Sequence, residues 1–79
     1  MFILEKSTRK HKKYMAVFPS GKRVHFGDNR YQQFKDSTGL GTYSSLDHGD
    51  SDRRRRYYSR HGKHATKHSA KWFSHKFLW

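Results

Sequence analysis

The chain has 79 residues, of which 18 are Lys or Arg and six are Asp or Glu, so its formal net charge is +12 at pH 7. None of the residues is cysteine, which excludes a disulfide framework and a thiolate metal site. Only 32% are hydrophobic, and a chain of this length can form one domain at most. No apolar run approaches the length of about 18 residues that a membrane span needs, so no membrane partner is expected. A charge of this size instead predicts an acidic partner, either nucleic acid or an acidic protein surface.

The first third of the chain has the pattern of β-structure. Residues 2–4 are apolar and predict a short edge strand. A β-hairpin is predicted over residues 13–26, because an apolar run with aromatic ends is followed by an alternating polar and apolar run. Proline and glycine in residues 19–22 favour the turn between them. Val24 and Phe26 are expected to share the inward face.

The middle of the chain, residues 28–49, reads as a polar loop. Glycine, serine and threonine dominate much of it, a composition typical of loops. Tyr43 and Leu46 are its expected anchors in the core. Residues 31–34 fit either a short strand or one helical turn, because their two aromatic residues are three positions apart.

The last third has the signals of two short helices. Acidic and serine side chains at residues 50–52 are N-cap groups, and Gly62 stands where a helix would end, so a helix is predicted over residues 52–61. A second helix is predicted from a Ser69 cap to about Lys76. Aromatic residues of this part are expected to hold the core or to anchor the protein to a neighbour: Tyr57, Tyr58, Trp72, Phe73, Phe77 and Trp79.

These elements predict an α+β fold in a single domain, residues 1–79. A small N-terminal antiparallel hairpin or sheet occupies residues 1–27, and the polar loop occupies residues 28–49. Residues 50–79 form a helical region that is rich in basic and aromatic residues. One or two short helices are expected to close over an aromatic core.

Three blocks of sequence carry a resemblance: residues 13–27; residues 31–32, 46–48, 53–58 and 60–63; and the ending, residues 69–79. In this order they resemble a family of short, basic, uncharacterised proteins encoded by large (nucleocytoplasmic) double-stranded DNA viruses. The resemblance implies a viral origin and virion packaging, with the protein in the virion and in the host cytoplasm or nucleus during infection. It implies no established activity.

The run of four arginines at residues 53–56 is the first candidate for phosphate contact. Guanidinium groups bind phosphate oxygens bidentately and stay charged at any relevant pH. Base reading is not predicted, because the interleaved aromatic residues are needed for the core. The predicted contacts with nucleic acid or an acidic partner are Arg53, Arg54, Arg55, Arg56, Arg60, Lys63, Lys67 and Lys71, followed by Lys10, Lys12 and Lys13 in the basic segment of residues 6–13.

Catalytic, metal and cofactor sites are not predicted. His61, His64 and His68 are spaced three and four residues apart, as zinc ligands on one helix face are. We predict no metal site there, because Gly62 should end the helix between them and no cysteine is available. The few dispersed acids and the small size of the chain predict a non-enzymatic protein with no cofactor.

Two functions are compatible with this pattern. The first is a basic, virion-associated accessory protein that binds nucleic acid phosphates non-specifically through counterion release. The alternative is a minor capsid or cement protein that docks on acidic capsid subunits through charge and a C-terminal aromatic anchor. An acidic host protein is a third partner of the same chemistry. In each case the chain is expected to work as part of a larger assembly.

Overall fold

The computed structural model describes all residues, 1–79, and has an α+β fold, as the sequence predicts. Three strands are followed by two helices: β1 (Ile3–Lys6), β2 (Lys12–Val17), β3 (Arg23–Asp28), α1 (Ser51–His61) and α2 (Ala70–Phe77). Between β3 and α1 the chain is irregular apart from one turn of 3-10 helix, Ser44–Leu46. The fold class is therefore confirmed, and the element order is that of the prediction.

The sheet is antiparallel, with β2 in the centre and β1 and β3 on either side. Tyr14 pairs with Phe26, and the hairpin turn closes through Gly21, whose φ is +90°. Glycine adopts this conformation without the steric cost that a side chain brings. The predicted hairpin is confirmed, with β3 extending two residues beyond the expected end, to Asp28.

The core lies between one face of the sheet and the end of the chain. Tyr14, Ala16 and Phe26 from the sheet meet Phe73 of α2 and Leu78. The rings of Phe26 and Phe73 stack with their centroids 5.3 Å apart. Such aromatic pairs contribute about 0.5–1.5 kcal/mol beyond the burial of their area. Only nine residues of the chain are buried, so one aromatic pair is a large part of the total stabilisation from the core.

Three of the four helix ends lie at the capping signals of the sequence, and α2 ends at Phe77, one residue beyond its predicted end. The Asp50 side chain accepts hydrogen bonds from two N–H groups in the first turn of α1, and Gly62 follows its last residue with φ of +74°. The Ser69 hydroxyl accepts a hydrogen bond from the N–H of Trp72 and caps α2. Neither helix has the length and apolar character that crossing a bilayer requires.

Helix α1 packs on the molecule through its two tyrosines. The ring of Tyr57, the one buried residue of α1, stacks on Trp79 with centroids 4.3 Å apart and 6° between the planes. The Tyr57 hydroxyl lies 3.0 Å from Nδ1 of His75, and the Tyr58 hydroxyl donates to the His75 carbonyl oxygen. Trp79 is therefore part of the packing of its own chain.

Buried polar side chains attach the irregular segment to the sheet. Nζ of Lys13 donates to Oε1 of Gln33, and these two residues are 2% and 0% exposed. Nε2 of Gln33 donates to Oδ1 of Asp47 at 2.6 Å and to the carbonyl oxygen of Tyr43 at 2.8 Å. Residues 31–34 form neither the strand nor the helical turn that was considered, and only Gln33 makes an isolated parallel bridge, with Asp47.

Tyr14, the residue after Lys13 in β2, makes a second attachment. Its hydroxyl donates to Oδ2 of Asp36 and accepts a hydrogen bond from the N–H of Tyr43 at 3.0 Å. Hydrogen bonds from Thr38 and Tyr14 lower the pKa of Asp36, although its burial acts in the opposite direction. The ring of Tyr43 packs edge-on against Tyr14, as an anchor should, while Leu46 is half-buried.

Gly27 is the position in β3 where we predict that no side chain is tolerated. Its φ is +76°, and a Cβ there would lie 2.8 Å from Cδ1 of the buried Leu78 and 3.2 Å from Cβ of Lys13. Gly27→Ala should lower the free energy of unfolding by about 2–5 kcal/mol, because left-handed strain adds to overpacking. Unfolding in urea, followed by circular dichroism, measures this loss.

Gly41→Ala is the matched control, because Gly41 has a similar φ of +70° but no atom within 4 Å of the added Cβ. It should lose only the backbone contribution of about 1–2 kcal/mol. If both variants lost the same free energy of unfolding, the close approach of Leu78 to Gly27 would not be the reason why a side chain is excluded there.

Candidate anion-binding surface

The carboxylates of the chain are almost all engaged within the fold. Five of the six accept hydrogen bonds from main-chain or side-chain donors or form ion pairs. These five are Asp28, Asp36, Asp47, Asp50 and Asp52. Glu5, an exposed residue of the edge strand β1, is the one acid that has no such partner. Little negative charge is therefore left to balance the cations at the surface.

The cations, in contrast, are mostly exposed and without a carboxylate partner. Among the 18 Lys and Arg side chains, the ion pairs are Arg30 with Asp28 at 2.7 Å and Arg55 with Asp52 at 3.3 Å. Hydrogen bonds from Arg30 lower the pKa of the Asp28 carboxyl group. Exposed pairs of this kind add little stability. The net charge of +12 therefore belongs mainly to the surface.

Two of the four arginines that were predicted to contact phosphate also hold the fold together. Nε of Arg54 donates to the main-chain oxygen of Trp79 at 2.6 Å, and its guanidinium group lies 5.1 Å from the centroid of the Phe34 ring. Arg53 donates to Oε1 of Gln32 at 2.7 Å. Each of these two arginines therefore uses some of its hydrogen-bond donors within the chain.

The other predicted cations of the last third are exposed on α1, on α2 and on the connection between them. Arg56 and Arg60 are four positions apart on α1, so they share one side of the helix. Lys63 and Lys67 follow in the connection. Lys71, in the first turn of α2, donates to the carbonyl oxygen of His61 at 3.2 Å. The structure therefore places these predicted residues where a partner can reach them.

A cleft of about 450 Å³ is lined by four of the predicted cations, one of which is the buried Lys13. It lies between the end of β3, the segment after it, and the two helices. Lys12 of β2, Arg60 of α1 and Lys71 of α2 line it. The carboxylate that also lines it, Asp28, is paired with Arg30. The charge of this cleft favours an anion.

Aromatic and apolar groups supply the remaining walls of the cleft. The stacked rings of Tyr57 and Trp79 lie beside Phe26 and Leu78. Tyr31 also lines the cleft and is 66% exposed. Tyr31 is not among the site residues that the sequence predicts, because the aromatic residues of so small a chain are expected to form the core. Its polar neighbours in the chain were the only signal.

Lys13 requires a correction to the predicted site. Lys10 is exposed and Lys12 begins β2 at the cleft, but the Lys13 side chain is 2% exposed and its stem packs against Gly27. Because Nζ of Lys13 donates to Gln33 inside the protein, the predicted contact between this lysine and an acidic partner is wrong. Successive residues of a strand point to opposite faces, and a run of similar lysines does not indicate which one points inward.

Burial lowers the pKa of Lys13 to about 8, although Asp28, Asp36 and Asp47 act against the shift. A lysine in the unfolded chain titrates near 10.5. The unfolded state therefore binds more protons between these two values, and the free energy of unfolding should rise with pH from about 8 to about 10.5. The stabilisation from neutral Lys13 is lost as the pH falls through about 8.

Lys13→Met removes this titration while keeping an unbranched side chain. We therefore predict that the free energy of unfolding of this variant does not show the increase with pH. Urea unfolding of both proteins at several pH values between 7 and 10.5 gives the comparison. Tyr57, whose pKa burial raises from 10.0 to about 12, is common to both proteins and therefore does not affect the comparison. Parallel pH profiles for the two proteins would contradict the assignment.

The three histidines that were considered as metal ligands do not come together. The ring of His61 packs on Tyr57 at 4.5 Å between centroids, and that of His68 packs on Phe18 at 5.1 Å. His64 is exposed in the connection between the helices. No group of three or more His, Cys, Asp or Glu residues has an arrangement that could hold a metal ion.

Residues 2–38 match a protein-family model that is described as a family of unknown function, DUF5754. The match covers the three strands and the first part of the irregular segment, including Tyr31. It does not reach α1 or α2, which carry most of the predicted cations. No curated protein and no solved structure matches the chain.

Proposed function

We propose that this protein is a non-enzymatic, basic accessory protein that binds the phosphates of nucleic acid without reading the base sequence. The observation that carries the proposal is that the fold engages its acidic side chains but leaves most of its basic side chains exposed. The carboxylates are engaged in caps, hydrogen bonds and ion pairs, whereas most cations are exposed without a carboxylate partner. Such a surface needs an acidic partner to balance it.

The distribution of the exposed cations supports a polyanion as the partner. Arg56 and Arg60 on α1, Lys63 and Lys67 in the connection and Lys71 on α2 are spread over two helices and the segment between them. Double-stranded DNA carries one negative charge per ~1.7 Å of its axis. Since the protein is 38 Å long in its largest dimension, several phosphates can be contacted at once.

We also propose that the binding takes place in a virion or in an infected cell. The support is the resemblance of the sequence blocks to short basic proteins of large double-stranded DNA viruses. The alternative, a cement protein that docks on acidic capsid subunits through a C-terminal aromatic anchor, has less support. Trp79 stacks on Tyr57, and its main-chain oxygen accepts a hydrogen bond from Arg54, so this aromatic residue already has partners in its own chain.

Fluorescence anisotropy with labelled random-sequence duplex DNA over a salt series tests the proposal. The five exposed cations of the helices and their connection predict a log–log slope of about −4 to −5, since each neutralised phosphate adds about −0.9. The double variant Arg56→Gln/Arg60→Gln should have a slope that is shallower by about 2, because two phosphate contacts are lost. Shuffled DNA sequences should bind alike.

Lys22→Gln/Arg23→Gln is the charge-matched control. It removes two positive charges at the hairpin turn, which lies at the opposite end of β2 and β3 from the cleft. This variant should change the slope much less than the α1 variant does. Absence of binding at low salt would overturn the proposal, and equal effects of the two variants would overturn the assignment of the helices as the binding surface.

A further inference from the structure

We infer that the cleft between β3 and the two helices binds an unpaired nucleotide, with a phosphate on its cationic rim and a base against Tyr31. The protein would then prefer single-stranded to double-stranded nucleic acid. This inference deepens the proposed function and rests on it, because it names the form of nucleic acid that the same surface takes.

The cationic side of the cleft is assembled by the fold. Lys12, Arg60 and Lys71 come from three different elements and line one cavity. Asp28 adds little opposing charge, because Arg30 is paired with it at 2.7 Å. The volume of about 450 Å³ lies within the range of roughly 300–1,000 Å³ that is usual for small-ligand sites. A single phosphate with its sugar is a ligand of suitable charge and size.

The first turn of α2 adds to the attraction for an anion. Ala70 and Lys71 line the cleft, and this turn contains no acidic residue. In α1, by contrast, Asp50 and Asp52 compensate the positive end of the helix dipole. The cleft therefore lies beside the helix N-terminus whose first turn contains no acidic residue.

Tyr31 provides the observation that points to a base. Among the thirteen Phe, Tyr and Trp residues, it is the one that the fold leaves exposed. Its side chain stands at the cleft, next in the chain to Gln32, which also lines it. The Arg30 guanidinium group lies 5.9 Å from the centroid of the ring. An exposed ring beside bound phosphate is the arrangement on which an unpaired base stacks.

The preference for a single strand follows from the geometry of the duplex. Paired bases are stacked on one another and present only their edges in the grooves. Tyr31 can therefore gain a stacking contact from an unpaired base alone. Stacking on one aromatic side chain is worth ~1–3 kcal/mol, which corresponds to roughly 5- to 150-fold in affinity.

The test compares a labelled 12-nucleotide oligothymidine with a short DNA duplex at equal salt and equal phosphate concentration. The wild-type protein should bind the single strand at least fivefold more tightly. Tyr31→Ala should remove this preference by weakening the binding of the single strand at least fivefold. Tyr31→Phe keeps the ring and should keep the preference. Circular dichroism checks that the variants are folded, which the exposure of Tyr31 leads us to expect.

A second readout reports on the cleft itself. Trp79 lines the cleft and Trp72 does not, so Trp72→Phe leaves one tryptophan that senses the ligand. In that background, oligothymidine should change the fluorescence of Trp79, and the additional substitution Lys71→Gln should shift the change to higher oligonucleotide concentration. Binding that leaves the fluorescence of Trp79 unchanged would place the strand elsewhere and overturn the inference.

The failures of the two proposals are distinguishable. Equal or tighter binding of the duplex, or no effect of Tyr31→Ala on the single strand, would overturn the inference. A steep salt dependence with duplex DNA would still support the proposed function in that case. If neither nucleic acid binds at low salt, both the proposed function and the inference fail.

Discussion

The hydrogen bonds of a buried lysine attach the sheet of this protein to the irregular segment that follows it. Lys13 donates to Gln33, and the amide group of Gln33 donates to Asp47, whose carboxylate also accepts the main-chain N–H of Asp36. The segment between β3 and α1 has little regular structure and few apolar residues, so its path depends on these polar contacts together with main-chain hydrogen bonds to Phe77 and Leu78. That path places Tyr31 beside the cleft and brings the chain to the cap of α1. The geometry of the cleft therefore depends on contacts that begin inside the sheet.

The same contacts explain why the surface has so much more positive than negative charge. An ammonium group without neighbouring anions is costly to bury. The charges of Asp28, Asp36 and Asp47 act on Lys13 and oppose the loss of its proton. Asp36 and Asp47, which are used in this way, and Asp50, which caps α1, form no ion pair with the exposed arginines and lysines. Folding of the chain and its attraction for polyanions are thus two consequences of one distribution of acids.

Signals that act over a few residues made much of the fold predictable from the sequence. The turn at Gly21, the cap at Asp50 and the cap at Ser69 are of this kind, because a helix end or a tight turn is decided locally. The burial of Lys13 and Gln33 was not predictable, since it depends on which face of β2 meets a distant segment.

The candidate site, too, was predictable from the sequence only in part. Adjacent arginines on a helix point to different sides, so only the packing of α1 shows that Arg54 donates to Trp79 whereas the side chain of Arg56 makes no hydrogen bond or ion pair within the chain. The central claim, that α1, α2 and the adjoining cleft form the nucleic acid surface, is tested most directly by titrating ¹⁵N-labelled protein with oligothymidine and following its amide resonances. The account predicts the largest shifts around Lys12, Tyr31, Arg60 and Lys71, with small shifts in the hairpin turn at residues 19–22. Shifts that are largest at residues 1–3 and 17–19, or that have no maximum in the chain, would contradict it.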